Sequence, residues 1–308
     1  MQNAVTAMQS EGPGRRRGAG GLSGRLKHDF NFSTFIPVYM RIWHQSFTVL
    51  NDLGLYHEAL KEHFARVARP GTEIDLHGMA PGTYRSNYPG NDIRHVAMQY
   101  MHGMQFMLAA TEAERRGYDV YAISTLPEPG LLEIRSLVDI PVVAYGESAM
   151  LTACMLGRKF GVLVFIDDMN ELIVENVRGH GLASRFVGAQ PVGFAFTDVL
   201  KAFDDPTDFI QGFQAAARKL IAQGAEVIIP GEAPMNVVLS RNGVTEVDGV
   251  PVLDSLAAWI KQAEAMYDLR HICGIRPCSK GYYHKRPDPE RVSEVFSFYG
   301  LDGLRSKY

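Results

Sequence analysis

Short apolar runs that alternate with amphipathic helical patterns dominate the chain from about residue 39 onward. Strand-like runs such as YDVYAIST and FGVLVF precede segments with apolar residues at helical spacing, for example NELIVENVRGHGL. Strands that alternate with helices need crossover connections, and such connections produce parallel sheets. The pattern therefore predicts an α/β fold. In open parallel sheets a ligand binds beyond the carboxyl ends of the strands, so the residues after each strand are the candidates for a functional site.

An internal repeat indicates two similar halves. RRGYDVYAIST (residues 115–125) resembles AQGAEVIIPGE (residues 222–232) at a constant offset of 107 residues, and each copy precedes a strand that opens IPV or VPV. Short helix–Gly–strand units also match by chance in α/β proteins. If the repeat is a duplication, Thr125 and Glu232 lie at equivalent strand ends, on opposite walls of one cleft.

Composition limits the classes of function. The 308 residues carry 31 Lys and Arg against 34 Asp and Glu, and this balance argues against nucleic acid as the main ligand. No apolar run approaches the ~18–20 residues of a membrane-spanning helix. The three cysteines Cys154, Cys273 and Cys278 are too few and too irregular for a disulfide framework. We therefore expect a soluble enzyme of a reducing compartment, the cytoplasm.

Residues 1–35 are expected to form a disordered leader. Their stretch GPGRRRGAGGLSGRLK is rich in Gly and Arg and has no apolar periodicity, so it cannot bury enough surface to offset its ordering entropy. It also lacks the apolar region of a secretory signal. An organelle transit segment or a nucleic-acid-binding tail are the alternatives.

The segments around the two repeat copies resemble the Asp/Glu/hydantoin racemase superfamily, most closely its hydantoin-racemase branch. TLPEPGLLEIRSLVDIPVVAYGESAM is similar to the first family signature, VIIPGEAPMN to the second, and KFGVLVF to the strand that opens the second half. The similarity runs from about Ile42 to Met266. It implies two pseudo-symmetric Rossmann-like or flavodoxin-like halves with parallel sheets, an active-site cleft between them, and acid/base catalysis without a cofactor.

Both thiols that the resemblance implies are replaced. In the family, one cysteine from each half acts on opposite faces of a carbon next to a carbonyl, whereas Thr125 and Glu232 stand at the matching positions here. A threonine hydroxyl is a very poor base, but a glutamate pKa of ~4.3 can rise toward ~6–7 in an apolar site. One competent base favours one-sided chemistry, by an isomerase, a lyase or a hydrolase, over two-face racemisation.

Further candidates follow the other strands. His44 joins Glu232 and Thr125 as a catalytic candidate, although the family carries N-P-N-[ST] near this position. Structural alternatives exist: Glu232 could cap the following helix, and Thr125 could be an ordinary strand-end hydroxyl. The backbone N–H groups of Gly146, Glu147 and Ser148, at the start of a predicted helix, could hold a carboxylate or an enolate. The expected substrate contacts are Gln45, Ser46, His77, Ser124, Gly146, Glu147, Ser148 and Asn236.

The sequence thus predicts a cofactor-independent enzyme that acts on a small carboxylate or a cyclic, hydantoin-like amide, with Glu232 as principal acid/base. One alternative is a metal-assisted hydrolase that uses His44, His77 and Glu232. No H-x-x-x-H spacing fixes the geometry of such a site, so we predict no bound metal. The other alternative is a ligand-binding homologue without activity.

The predicted halves comprise residues 36–145 plus 250–270, and residues 146–249. VPVLDS and the helix after it are expected to return to the first half. Residues 271–308 form a C-terminal extension whose aromatic side chains either pack on the core or contact a neighbouring subunit of a homo-oligomer. These side chains are Tyr282, Tyr283, Phe296 and Phe298.

Overall fold

A computed structural model of the chain describes residues 39–50, 53–86, 88–305 and 307–308. The predicted leader, residues 1–35, lies outside the described residues. Within the described ranges, no helix is both long enough and apolar enough to cross a membrane.

The first half is built on a parallel sheet with the strand order β2-β1-β3-β4. Gln45 at the end of the central strand pairs with both His77 and Ile123, so these three strands end at one edge. The backbone N–H of Ser124 donates to the Gln45 carbonyl at 2.8 Å and continues this edge into the next loop. The strands are β1 (Met40–Gln45), β2 (Thr72–His77), β3 (Val120–Ile123) and β4 (Val142–Ala144), and the helices are α1 (Gly54–Val67), α2 (Gly90–Ile93), α3 (Val96–Arg115) and α4 (Leu131–Leu137).

The second half contains a smaller parallel sheet with the order β6-β5-β7. Its strand β7 begins 107 residues after β3, the same offset as in the sequence repeat. Two short 3-10 turns, Asp167–Met169 and Ala183–Arg185, flank the second helix of this half. The strands are β5 (Phe160–Val164), β6 (Phe186–Pro191) and β7 (Val227–Pro230), and the helices are α5 (Tyr145–Leu156), α6 (Asn170–Gly179), α7 (Phe196–Lys201), α8 (Thr207–Ala222) and α9 (Ala233–Arg241).

One hydrophobic core joins the two halves. Val120 of the first sheet and Ile229 of the second belong to the same buried cluster as Trp259, which lies on α10 (Ser255–His271) and is fully buried. Helix α10 packs against α1, β3 and β4 as well as α5 and α9. Tyr145 adds a polar link, since its hydroxyl donates to the Pro230 carbonyl at 2.7 Å. The prediction of an α/β fold with two parallel-sheet halves is confirmed.

Part of the segment VPVLDS differs from the predicted strand. Strand β9 (Val250–Pro251) forms an antiparallel hairpin with β8 (Glu246–Val247). The connecting Asp248 and Gly249 both have positive φ angles, as a two-residue Asp-Gly turn requires. Val252 then pairs with Ile228 of the second sheet. The strand portion therefore lies on the second half, whereas Asp254 and the helix that follows it contact the first.

The C-terminal extension is fastened to the core by charge. Asp139 forms ion pairs with Arg286 at 2.6 Å and Arg276 at 2.8 Å, both in the extension, and with Arg270 of α10 at 2.6 Å. Helices α11 (Pro289–Phe298) and α12 (Asp302–Arg305) follow. Of the predicted aromatic contacts, Phe296 is buried whereas Tyr282, Tyr283 and Phe298 are exposed. Contact of these exposed rings with a neighbouring subunit stays a prediction.

Candidate active site

A cavity of about 70 Å³ lies where the carboxyl ends of the two sheets face each other. One wall comes from the residues after β1 and β3, and the opposite wall from the residues after β5 and β7. Thr125 and Glu232 both line it, so the sequence repeat does bring these two positions to one cavity. Most of the remaining lining is apolar, including Phe47, Tyr88, Ile93, Phe165, Met169 and Phe196.

Glu232 is the acidic residue of this cavity. Gly231, just before it, packs so tightly that a Cβ atom there would lie 2.6 Å from the Leu163 carbonyl oxygen. This close approach brings Glu232 to the end of β5, where its Oε1 atom accepts a hydrogen bond from the Phe165 backbone N–H at 3.1 Å. Its Oε2 atom is buried and finds no hydrogen-bond partner among the described residues. One carboxyl oxygen is therefore fixed, whereas the other is buried and unpaired.

The surroundings of Glu232 favour its neutral form. Burial removes water from the carboxyl group and raises its pKa to about 8, while the backbone N–H groups of Phe165 and Ile166 oppose the shift and the nearby Asp167 charge adds to it. The residue stands at the N-cap position of α9, yet its side chain makes no capping hydrogen bond. A capping role therefore does not explain this glutamate.

Hydroxyl groups cover the opposite wall. Ser46 and Thr48 follow β1 and hydrogen-bond to each other at 2.9 Å between Oγ and Oγ1. Ser124 and Thr125 follow β3, and the Oγ atom of Ser124 is buried without a partner in the described part of the chain. Like Glu232 Oε2, this oxygen is buried and unpaired. Of the predicted substrate contacts, Ser46 and Ser124 thus line the cavity.

The other strand-end candidates point elsewhere. His44 is fully buried against Phe64 and Trp259, and this burial lowers its pKa to about 3. Its Nδ1 atom lies 3.1 Å from the His77 carbonyl oxygen. Gln45 is likewise used internally, since its amide nitrogen donates to the Gly78 carbonyl. The structure does not bring His44 or Gln45 to the cavity, because His44 still belongs to the strand and faces the core.

His77 packs flat on Trp43, with ring centroids 3.5 Å apart, and burial lowers its pKa to about 4. It lines a different surface pocket, beside Tyr308. Within the described ranges, no three His, Cys, Asp or Glu side chains come together as a metal site would require. The alternative of a metal-assisted hydrolase built on His44, His77 and Glu232 therefore lacks its ligand set.

The start of α5 is also occupied from within the chain. The backbone N–H of Glu147 donates to the carboxylate of Glu128, and the Glu147 side chain pairs with Arg135. Gly146 borders Glu128, and Ser148 is buried beside it on the helix. None of Gly146, Glu147 and Ser148 lines the cavity, so the predicted carboxylate site holds a carboxylate of this same protein.

Asn236 of α9 hydrogen-bonds to the start of α10. Its amide nitrogen donates to Asp254 at 2.9 Å, and its amide oxygen accepts from the Ser255 backbone N–H at 2.7 Å. These bonds tie α9 to the start of α10, and the side chain does not reach the cavity lining.

Two aromatic residues of the cavity were not predicted. Tyr88 from the first half stacks on Phe196 from the second, with centroids 4.9 Å apart and planes at 15°. Gly90 permits this arrangement, because a Cβ atom there would lie 2.2 Å from the Tyr88 ring. The loop APGTYRSNYPGND signalled a turn-rich segment, but nothing in it indicated a partner more than a hundred residues away.

Comparison with known proteins places this fold in a family. Residues 55–263, more than half of the chain, match the family described as Asp/Glu/Hydantoin racemase. A hydantoin racemase of Pseudomonas sp. (strain NS671) is 27% identical over 197 residues, which cover 64% of this chain and 75% of that protein. The hydantoin racemase of Rhizobium meliloti is 28% identical over 163 residues, 50% of this chain and 63% of that protein.

Solved structures agree on the fold. An allantoin racemase from Klebsiella pneumoniae superposes with a TM-score of 0.66 at 20% identity, covering 81% of this chain and 94% of that one. The allantoin racemase of Pseudomonas fluorescens gives 0.64 at 24% identity, covering 81% and 98%. With two parallel-sheet halves around a shared cavity and a family match over residues 55–263, the chain belongs to the Asp/Glu/hydantoin racemase family.

Proposed function

We propose that this protein is an acid/base enzyme that moves a proton at a carbon next to a carbonyl group of a small cyclic amide, with Glu232 as acid and base. The observation that carries the proposal is the buried, unpaired Oε2 atom of Glu232, a residue that lines the cavity. A buried carboxyl group with a pKa of about 8 can exchange a proton near neutral pH, where an ordinary glutamate stays ionised.

The lining of the cavity favours a neutral ligand over a carboxylate. Among the described residues that line it, none is Lys, Arg or His, so an anionic group would lie there without a cation. Hydroxyl groups suit the C=O and N–H groups of a ring amide. The relatives are named hydantoin racemases, and two of the structural neighbours are named for allantoin, which is a substituted hydantoin. A hydantoin-like ring is therefore the proposed substrate class.

In the proposed step, the Glu232 carboxylate accepts the proton of the ring carbon through Oε2. The C–H electron pair moves to the adjacent carbonyl oxygen, which becomes an enolate and accepts hydrogen bonds from Ser124 and Thr125. Glu232 then returns the proton to the same face, or the enolate electrons expel a leaving group. None of Cys154, Cys273 and Cys278 lines the cavity, and a threonine hydroxyl is too weak a base to act from the opposite face. The chemistry is therefore one-sided.

Exchange of solvent deuterium into allantoin and 5-substituted hydantoins, followed by NMR, tests the proposal. Glu232→Gln should lower the exchange rate about 10²–10⁴-fold, and the acidic limb of kcat/KM near pH 8 should disappear with it. Glu246→Gln, the same change at an exposed glutamate of the β8–β9 hairpin, is the matched control.

Ligand binding distinguishes an enzyme from a binding protein. Thermal shifts with the same compounds should persist in Glu232→Gln, since the amide keeps the shape of the cavity. If the wild type binds a compound but exchanges no deuterium, a ligand-binding role replaces the catalytic one. Near-wild-type exchange by Glu232→Gln would show that the acid/base assignment is wrong.

A further inference from the structure

Glu128 has an unusual conformation for a residue so close to the cavity. It lies three residues after Thr125 and adopts a left-handed backbone conformation with φ at 52°, which is uncommon for a residue other than glycine. Its side chain is only 4% exposed. Backbone strain and burial of a carboxylate both cost free energy, and such strain persists where the surrounding structure holds it in place.

Two groups hold the Glu128 carboxylate. Oε1 accepts the backbone N–H of Glu147 at the start of α5, and Oε2 lies 2.7 Å from Nε2 of His180. Gly146 makes room for this contact, because a Cβ atom there would lie 2.8 Å from Oε1. His180 follows directly after α6, which belongs to the second half. The ion pair therefore joins the loop of the first cavity wall to a helix of the second half.

The same helix also binds the backbone of that loop. Asn176, one turn before His180, donates from its amide nitrogen to the carbonyl oxygens of Leu126 and Pro127, each at 3.3 Å. Leu126 and Pro127 line the cavity together with Thr125. The Glu128 backbone N–H in turn donates to the Thr125 carbonyl at 3.4 Å. Asn176 and His180, at the C-terminal end of α6, thus contact each residue of the segment 126–128.

We propose that Glu128 and His180 are positioning residues, whose ion pair holds the segment 125–128 against α6 and so fixes Thr125 and its wall opposite Glu232. This inference rests on the proposed function, because the spacing of the two walls matters only if a reaction takes place between them. Misplacement of a reacting group by about 1 Å can cost about a hundredfold in rate.

The charges around His180 make the contact sensitive to pH. Glu147 of α5 faces its Nδ1 atom at 3.8 Å, Arg135 of α4 binds that glutamate, and Glu133 of α4 and Glu175 of α6 line the same surface groove. The hydrogen bond to Glu128 raises the pKa of His180 above its ordinary value. A histidine with a raised pKa stabilises the fold fully below about 6.5, and this contribution is lost as pH rises through the folded-state value.

Glu128→Gln and His180→Gln remove one charge each and keep hydrogen-bonding groups in place. We expect kcat for deuterium exchange to fall about ten- to hundredfold in both, with KM changed by less than about threefold. Arg178→Gln is the control, since Arg178 is exposed on the same helix and pairs with Glu175. By NMR, the pKa of the His180 imidazole should be raised in the wild type and should fall in Glu128→Gln, because the hydrogen bond to Glu128 is the largest cause of its rise.

Amide hydrogen exchange gives a readout that does not depend on the reaction. The amides of residues 126 and 128 should exchange faster in both variants than in Arg178→Gln. In the wild type, their exchange should also speed up between pH 6 and pH 9 by more than the intrinsic exchange rate does. If Glu232→Gln abolishes activity while both pair variants match Arg178→Gln in kcat and in amide exchange, the positioning role is wrong and the proposed function stands. If the wild type shows no activity, the proposed function fails, and unchanged amide exchange would then also overturn the contact between loop and helix.

Discussion

The two walls of the cavity follow strands that keep the offset of the sequence repeat, yet they offer different chemistry. Strands β3 and β7 keep the 107-residue offset and end at the same cavity. One wall presents the hydroxyl groups of Ser124 and Thr125, and the other presents Glu232 beside apolar rings. Backbone symmetry therefore does not impose symmetric proton transfer. The side chain after each strand decides which wall can change its protonation state.

The physical reason lies in how far burial can shift the pKa of each group. Desolvation in the second half raises the pKa of Glu232 to about 8, which brings its titration into the neutral range. A threonine hydroxyl titrates so far above neutrality that no comparable shift makes it a base. In the proposed mechanism, only the Glu232 wall then accepts and returns a proton.

The strongest way to break this asymmetry is to install a base on the hydroxyl wall. The wild type should exchange deuterium into one enantiomer of a chiral hydantoin and give no detectable racemisation. Thr125→Cys adds a thiol with a reference pKa of about 8.5, close to that of Glu232, and should add exchange at the opposite face. Chiral chromatography combined with NMR would show racemate forming in this variant.

Thr125→Ser is the matched control for the thiol, since it keeps a hydroxyl and should remain one-sided. Racemisation by the wild-type protein itself would contradict the comparison of the two walls, because it requires a base on each face.

The sequence predicted the parts of this comparison that depend on local pattern. Strands β3 and β7 could be predicted because their apolar runs end sharply at Ser124 and Gly231, and the position after each end placed Thr125 and Glu232. Strand β6 was not predicted, since FVGAQP is only half-buried and contains Gly188 and Pro191. Helix α4, seven residues long, was too short to show a clear period.

The histidines show where local pattern fails. His44 looked like a strand-end residue, but β1 continues to Gln45, and successive side chains of a strand face opposite sides. The strand therefore extends two residues further than predicted, and His44 lies within it and faces the core. The contacts of Glu128 with His180 and of Tyr88 with Phe196 join distant segments, and no local pattern records them.

Stability as a function of pH sharpens the comparison without any substrate. The folded-state pKa of Glu232 is about 8, whereas an unfolded glutamate titrates near 4.3–4.5, about its reference value. Between these values the folded protein binds more protons, so this group makes the free energy of unfolding fall as pH rises, until about pH 8. Between pH 5 and pH 8, the free energy of unfolding of Glu232→Gln should therefore rise by roughly 2–4 kcal/mol relative to that of the wild type.

Urea unfolding of both proteins at several pH values measures this difference, and Glu246→Gln should show no such trend. A wild-type and a Glu232→Gln curve that stay parallel across this range would mean that Glu232 is ionised in the folded state, and the two walls would then differ less than we propose.

The smallest expected effect concerns the contact that closes the cavity between the halves. A cavity of about 150 Å³ accommodates benzene, so the volume of about 70 Å³ here is small for a ring, and we expect a wall to move as a ring enters. The stacked rings of Tyr88 and Phe196 bridge the halves beside this volume, and such a pair contributes about 0.5–1.5 kcal/mol.

Tyr88→Leu keeps an apolar wall but removes the stack, so both association and dissociation rate constants should rise about two- to tenfold while Kd changes little. Stopped-flow binding in the Glu232→Gln background isolates this step from turnover, with Phe298→Leu, an exposed ring of the extension, as control. Rate constants unchanged by Tyr88→Leu would show that ligands enter without parting these rings.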